Sequence, residues 1–143
     1  MKGFTLIEIL LTGAIIVMLV SFTLPIGLDF YKNQQLETQS QEIVQALRRA
    51  QLKAMSVESD SSFGIYLAND NYVLFKGSSY FFSRDAQYDE IFGLPSIINV
   101  SGLSEIVFSK LEGIPSVAGD IILGTDNNQR VININEIGRV NLQ

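Results

Sequence analysis

The chain contains neither cysteine nor histidine. Without thiols there are no disulfides, no thiolate zinc sites and no cysteine nucleophile. Without imidazole, every histidine-based triad or metal motif is excluded as well. Any enzymatic chemistry is left to carboxylates, lysine, or a Ser/Lys pair. The missing cysteine does not fix the compartment, because an exported domain can fold without disulfides. Proline is scarce: there are three in 143 residues, a length that suggests one domain. None of the three falls between residues 30 and 57.

Positive charge is the other shortage, with 10 Lys and Arg against 15 Asp and Glu and a net charge of −5. Residues 59–143 hold five basic side chains (Lys76, Arg84, Lys110, Arg130, Arg139). The same stretch holds ten acidic ones, so it carries the whole −5. A phosphate-binding surface needs clustered Lys and Arg to release counterions, so this part is on average a poor nucleic-acid binder.

The apolar residues are unevenly spread. No charged residue occurs from 9 to 28, and a helix of that length rises about 30 Å, the thickness of a bilayer's hydrocarbon core. A secretory signal peptide has a shorter apolar run and an A-x-A-like cleavage site. Ser21-Phe22-Thr23-Leu24-Pro25 offers no such site. A plain membrane anchor fits the length but leaves Glu8 unexplained.

Met1-Lys2-Gly3-Phe4-Thr5-Leu6-Ile7-Glu8 resembles the prepilin leader-peptidase signature of type IV pilins and type II secretion pseudopilins. The resemblance is specific over residues 2–25. It implies that Lys2 and Gly3 belong to a leader (residues 1–3) recognised by a prepilin peptidase/methyltransferase. That enzyme would cut between Gly3 and Phe4 and methylate the new amino group of Phe4. Glu8 becomes the fifth residue of the mature chain and, by resemblance, an assembly residue pairing with the Phe4 amine of a neighbouring pilin or pseudopilin. Pro25 sits where many such proteins kink the helix. A carboxylate at mid-bilayer costs about 2.5–3.5 kcal/mol on insertion scales and less near a helix end. The plainer reading of Glu8 is therefore that it snorkels to the headgroups. Lys2 and the amino terminus are positive and should stay cytoplasmic, placing the C-terminal part outside the inner membrane.

Residues 29–58 remain helix-compatible and rich in Gln, Glu, Leu, Ala and Arg. Leu36, Ile43, Leu47, Ala50 and Ala54 share one face, which Val44 and Met55 widen. This stripe is expected to pack on a head. Arg48, Arg49 and Lys53 read as a solvated basic spot balanced by Glu37, Glu42 and Glu58.

Residues 59–143 read as β. Strands are expected at 63–67 and 72–75 around an Asn/Asp turn, then at 79–83, 97–100, 105–108, 120–123, 131–134 and 139–142. The charged and aromatic stretch 84–95 is hard to assign. The segment from Ile106-Val107-Phe108 through Val131-Ile132-Asn133-Ile134 to Gly138-Arg139-Val140 resembles the C-terminal domain of GspH/FimT-type minor pseudopilins, with other pilin classes left open. The fold class is therefore α+β, pilin-like. A membrane-spanning helix (4–28) continues as an amphipathic one (29–58) under an antiparallel β-rich head (59–143). Asp126-Asn127-Asn128 with Asp120 could offer oxygens to calcium, but a hairpin turn explains them and the spacing fits no EF-hand. Asp89-Glu90 reads as a loop without a catalytic partner. No catalytic residue, metal or cofactor is expected. The implied function is a structural filament subunit of a secretion or pilus machine. The alternatives are a DNA-binding minor pilin, which would need a basic groove, and a membrane-anchored carboxylate hydrolase, which would need convergent carboxylates.

Overall fold

The computed structural model describes residues 3–56 and 60–143, with the side chains of 23–26 outside the described set. Helix α1, Leu6–Met55, precedes strands β1 (Phe63–Leu67), β2 (Asn71–Lys76), β3 (Asp85–Gly93), β4 (Asn99–Gly102), β5 (Glu105–Phe108), β6 (Gly119–Gly124), β7 (Gln129–Ile134) and β8 (Val140–Leu142). The strands form two antiparallel sheets, ordered β3-β2-β1-β5 and β4-β6-β7-β8. One long N-terminal helix followed by antiparallel sheets is the expected α+β layout at that level. The chain divides into two compact units, Met1–Gln34 and Gln35–Gln143, and α1 contributes to both.

In the first unit, every described side chain from Gly3 to Phe22 is exposed. The helix is long and apolar enough to cross a membrane. Its hydroxyls are satisfied within the helix: Thr12 Oγ1 donates to the Glu8 carbonyl at 2.6 Å and Ser21 Oγ to the Val17 carbonyl at 2.8 Å. That matters in hydrocarbon, where no water is present to do it. Helix α1 continues through Pro25 rather than ending there; the kink expected at Pro25 lies outside the described side chains.

In the second unit one apolar cluster joins the helix to both sheets. Leu36, Ile43, Leu47, Ala50 and Ala54 are buried, as their spacing predicts, and Val44 and Ala46 join them. Met55 does not widen the stripe. It is 45 % exposed, because α1 ends there, with Leu111 N–H capping the Ala54 carbonyl at 3.0 Å. The facing residues are Phe63, Ile65 and Leu67 of β1, Leu74 of β2, Ile106 and Phe108 of β5, Ile121 and Leu123 of β6, and Ile132 and Ile134 of β7. Full burial of a Leu or Ile side chain contributes roughly 1.5–3 kcal/mol, so this cluster is what holds the unit together. Ser40 lies within it and donates Oγ to the Leu36 carbonyl at 2.6 Å, so its hydroxyl is satisfied inside the cluster.

The outer face of the first sheet is covered as well. Phe75 is fully buried there because its cross-strand partner is Gly64. A Cβ on Gly64 would meet the Phe75 ring at 2.7 Å. Residues 79–83, expected as a strand, form a turn that folds back over this face. Tyr80 stacks on Tyr66 with ring centroids 4.2 Å apart, and its ring meets Phe75 edge-on at 5.6 Å. The Glu105 carboxylate accepts the Tyr80 backbone N–H at 2.7 Å. The strand comes instead at Asp85–Gly93, including Asp89 and Glu90, which are therefore not in a loop. As an edge strand it exposes most of both faces and shows no alternation to read.

Candidate functional site

The first candidate region is the start of α1. Residues 3–5 precede the helix, so the Gly3–Phe4 bond lies outside it, and the space around Gly3 is open. Lys2 lies outside the described residues. Thr5 and Glu8 form a capping box: the Glu8 N–H donates to Thr5 Oγ1 at 3.3 Å and the Thr5 N–H to Glu8 Oε2 at 3.5 Å. The pattern Thr-x-x-Glu was present in the sequence, and its capping role went unread beside the leader motif. The carboxylate contact is at the long limit of a hydrogen bond, so most of Glu8's acceptor capacity is unused. Among the described residues no cation faces it. Glu8 also borders a groove of about 400 Å³ with Phe4, Ile9, Thr12, Gly13 and Ile16. The groove exists because Gly13 places no side chain there and a Cβ would meet nothing within 4 Å. An acid beside an apolar notch on an exposed helix can receive a cation carried by a second apolar element.

The second region is the charged surface of the head. Arg49 and Lys53, expected to be solvated, both pair with Glu90 of β3, Arg49 at 3.0 Å. Arg48 donates to the Val140 carbonyl at 3.2 Å. Glu37, expected to balance that spot, is engaged by Arg130 Nε at 2.8 Å and by Gln41. The Arg130 hydrogen bond, followed by that from Gln41, lowers the Glu37 pKa below the usual carboxylate value. Its contribution to stability is present above the ordinary carboxylate range and fades as pH falls through the lowered value. Glu58 lies outside the described residues. Arg84 faces Asp89 at 3.4 Å and lies over the Tyr80 ring, and Lys110 pairs with Asp60.

Asp120 accepts a hydrogen bond from Asn133 Nδ2 at 2.6 Å across β6 and β7. Asp126-Asn127-Asn128 form the turn between those strands, closed by the Thr125 N–H on the Asn128 carbonyl at 2.8 Å. The reading of Asp126-Asn127-Asn128 as a hairpin turn holds. A cleft of about 320 Å³ lies between Glu42, Gln45, Ala46, Arg49, Tyr72 and Phe92. Burial, aided by the Glu42 carboxylate, pushes the Tyr72 hydroxyl up to about 12, so at neutral pH it is a neutral phenol and no base.

Comparison with family models, with curated proteins and with solved structures finds no match to this chain.

Proposed function

We propose that this chain is a prepilin-type structural subunit, a minor pseudopilin or pilin of a type II secretion or type IV pilus machine. The observation that carries the reading is the placement of Glu8. A carboxylate with no described cation partner sits in the first turn of an exposed apolar helix, four residues after the Phe4 of Lys2-Gly3-Phe4. In this reading the peptidase removes residues 1–3, and Phe4 carries the new, methylated amine. The helix crosses the inner membrane once with its start on the cytoplasmic side. Glu8 then receives the Phe4 amine of the next subunit, which sets the axial register of the filament. The GspH/FimT-type assignment adds the Gly138-Arg139-Val140 ending, where β8 completes the second sheet.

The pairing of Arg49, Lys53, Arg84, Lys110 and Arg130 with carboxylates favours this reading over a DNA-binding head. Those cations are already neutralised and release few counterions from phosphate.

The test is recovery of the full chain in sheared filament or crosslinked pseudopilus fractions, with and without an active prepilin peptidase. Recovery that depends on the peptidase is expected. Equal recovery without it would contradict the proposal.

A further inference from the structure

One groove on the head has a charge opposite to that of the protein. It encloses about 390 Å³ and is lined by Arg48, Gln51, Leu52, Arg139, Val140 and Asn141, together with Gly138. No carboxylate lines it. Arg48 holds the Val140 carbonyl through one guanidinium nitrogen, which leaves its other donors unused. Among the described residues no side chain pairs with the Arg139 guanidinium. This contrasts with Arg49, Lys53, Arg84, Lys110 and Arg130, all matched to acids.

The groove is held in shape by packing. Gly138 has φ +82°, and a Cβ there would come within 2.4 Å of Gln51 Nε2 and 2.7 Å of the Gly113 carbonyl oxygen. Gln51 Nε2 itself donates to that carbonyl at 2.9 Å. Helix, loop and turn are thus fixed together at one point.

Strand β8 forms one wall and is the edge of its sheet. The Asn135 N–H to Arg139 carbonyl bond and the reciprocal Val131–Gln143 pair show which residues of β8 face β7. By alternation, the backbone groups of Val140 and Leu142 point away from it. The Arg48 bond to the Val140 carbonyl fits that geometry. Leu52 beside the groove is 67 % exposed, and Ile137, two residues before Arg139, is exposed too.

We propose that this groove docks an extended acidic segment of a partner protein. The segment lies along the groove beside β8, its carboxylates meeting Arg48 and Arg139 and its apolar side chains resting on Leu52. A short acidic segment fits the local charge. A nucleic-acid duplex would carry its phosphates beyond two guanidinia onto a head of net negative charge. The inference does not depend on the filament reading.

The test uses the full chain in detergent and a fluorescein-labelled peptide of alternating glutamate and valine, followed by anisotropy at low salt. Binding is expected, weakened about tenfold by Arg139→Glu and by added salt, and largely kept in Arg139→Lys. Unchanged melting temperatures would show that both variants are folded. Equal binding of a peptide with lysine in place of glutamate would overturn the proposal, as would indifference to Arg139→Glu. Two other outcomes would also overturn it: an oligonucleotide binding through Arg139 while the peptide does not, and self-association lost in Arg139→Glu without peptide binding. The first would reassign the groove to nucleic acid and the second to another copy of this chain.

Discussion

Replacing Glu8 with Val is expected to leave the chain in the membrane but remove it from the assembled filament. The two effects separate because they depend on different physics. Insertion follows the apolar run 9–28, and losing a carboxylate near the helix end can only favour it. Assembly, in the proposed reading, depends on a charge pair between Glu8 and the Phe4 amine of a neighbour. Removing one partner leaves the other charged and unpaired, a loss of about 2–5 kcal/mol at a buried site. Incorporation should therefore fall about 30-fold or more. Glu8→Gln should fail similarly, since it keeps the shape and loses the charge. The capping box is a smaller matter, on the order of 1 kcal/mol in a helix stabilised along its whole length. The check is immunoblotting of membrane and filament fractions side by side. Wild-type incorporation of Glu8→Val would remove the assembly role and leave snorkelling as the account of this residue.

The second large effect is expected in the head. Leu47 is fully buried where the helix meets both sheets. Leu47→Ala removes apolar contact and leaves a cavity the rigid sheets cannot close, a loss of about 2–5 kcal/mol. For a domain near this size the melting temperature should drop by about 10 °C or more. Leu52, one and a half turns further along and mostly exposed, is the control. Leu52→Ala should change stability by no more than about 0.5 kcal/mol. The measurement is thermal denaturation followed by circular dichroism in detergent. Equal shifts for the two variants would mean that the helix does not form the core described for this unit.

The helix and its buried stripe were legible because both rest on periodicity. Leu36, Ile43, Leu47, Ala50 and Ala54 repeat every three, four or seven residues, and burial follows the repeat. The hairpin turns at 68–71 and 125–128 were legible because Asn and Asp supply turn geometry locally. Strand β3 was not, since an exposed edge strand bearing Asp85, Asp89 and Glu90 has no apolar side to alternate. The segment 79–83 read as a strand because Tyr80, Phe81 and Phe82 have β propensity. Tyr80 is instead used to cover Tyr66 and Phe75 from outside the sheet, a tertiary role with no local signature.

The head's ion pairs were unreadable for a related reason. Lys53 and Glu90 are 37 residues apart, and Glu37 and Arg130 are 93 apart. Within the helix, Glu37, Glu42 and the basic spot fall at spacings that allow local balancing. The fold instead sends Glu37 to Arg130 of β7, Arg49 and Lys53 to Glu90 of β3, and Arg48 to the Val140 carbonyl of β8. The candidate assembly site was the opposite case: Phe4, Thr5 and Glu8 lie within one turn of each other, so the sequence alone brings them together.

The proposed role begins with one cut, between Gly3 and Phe4, since only that cut creates the amine that Glu8 is proposed to receive. The most direct measurement is the intact mass of the chain after co-expression with a prepilin peptidase. A product beginning at Phe4 and carrying one extra methyl group is the predicted result. A chain recovered with Met1, Lys2 and Gly3 still attached, although the peptidase is active, would contradict it.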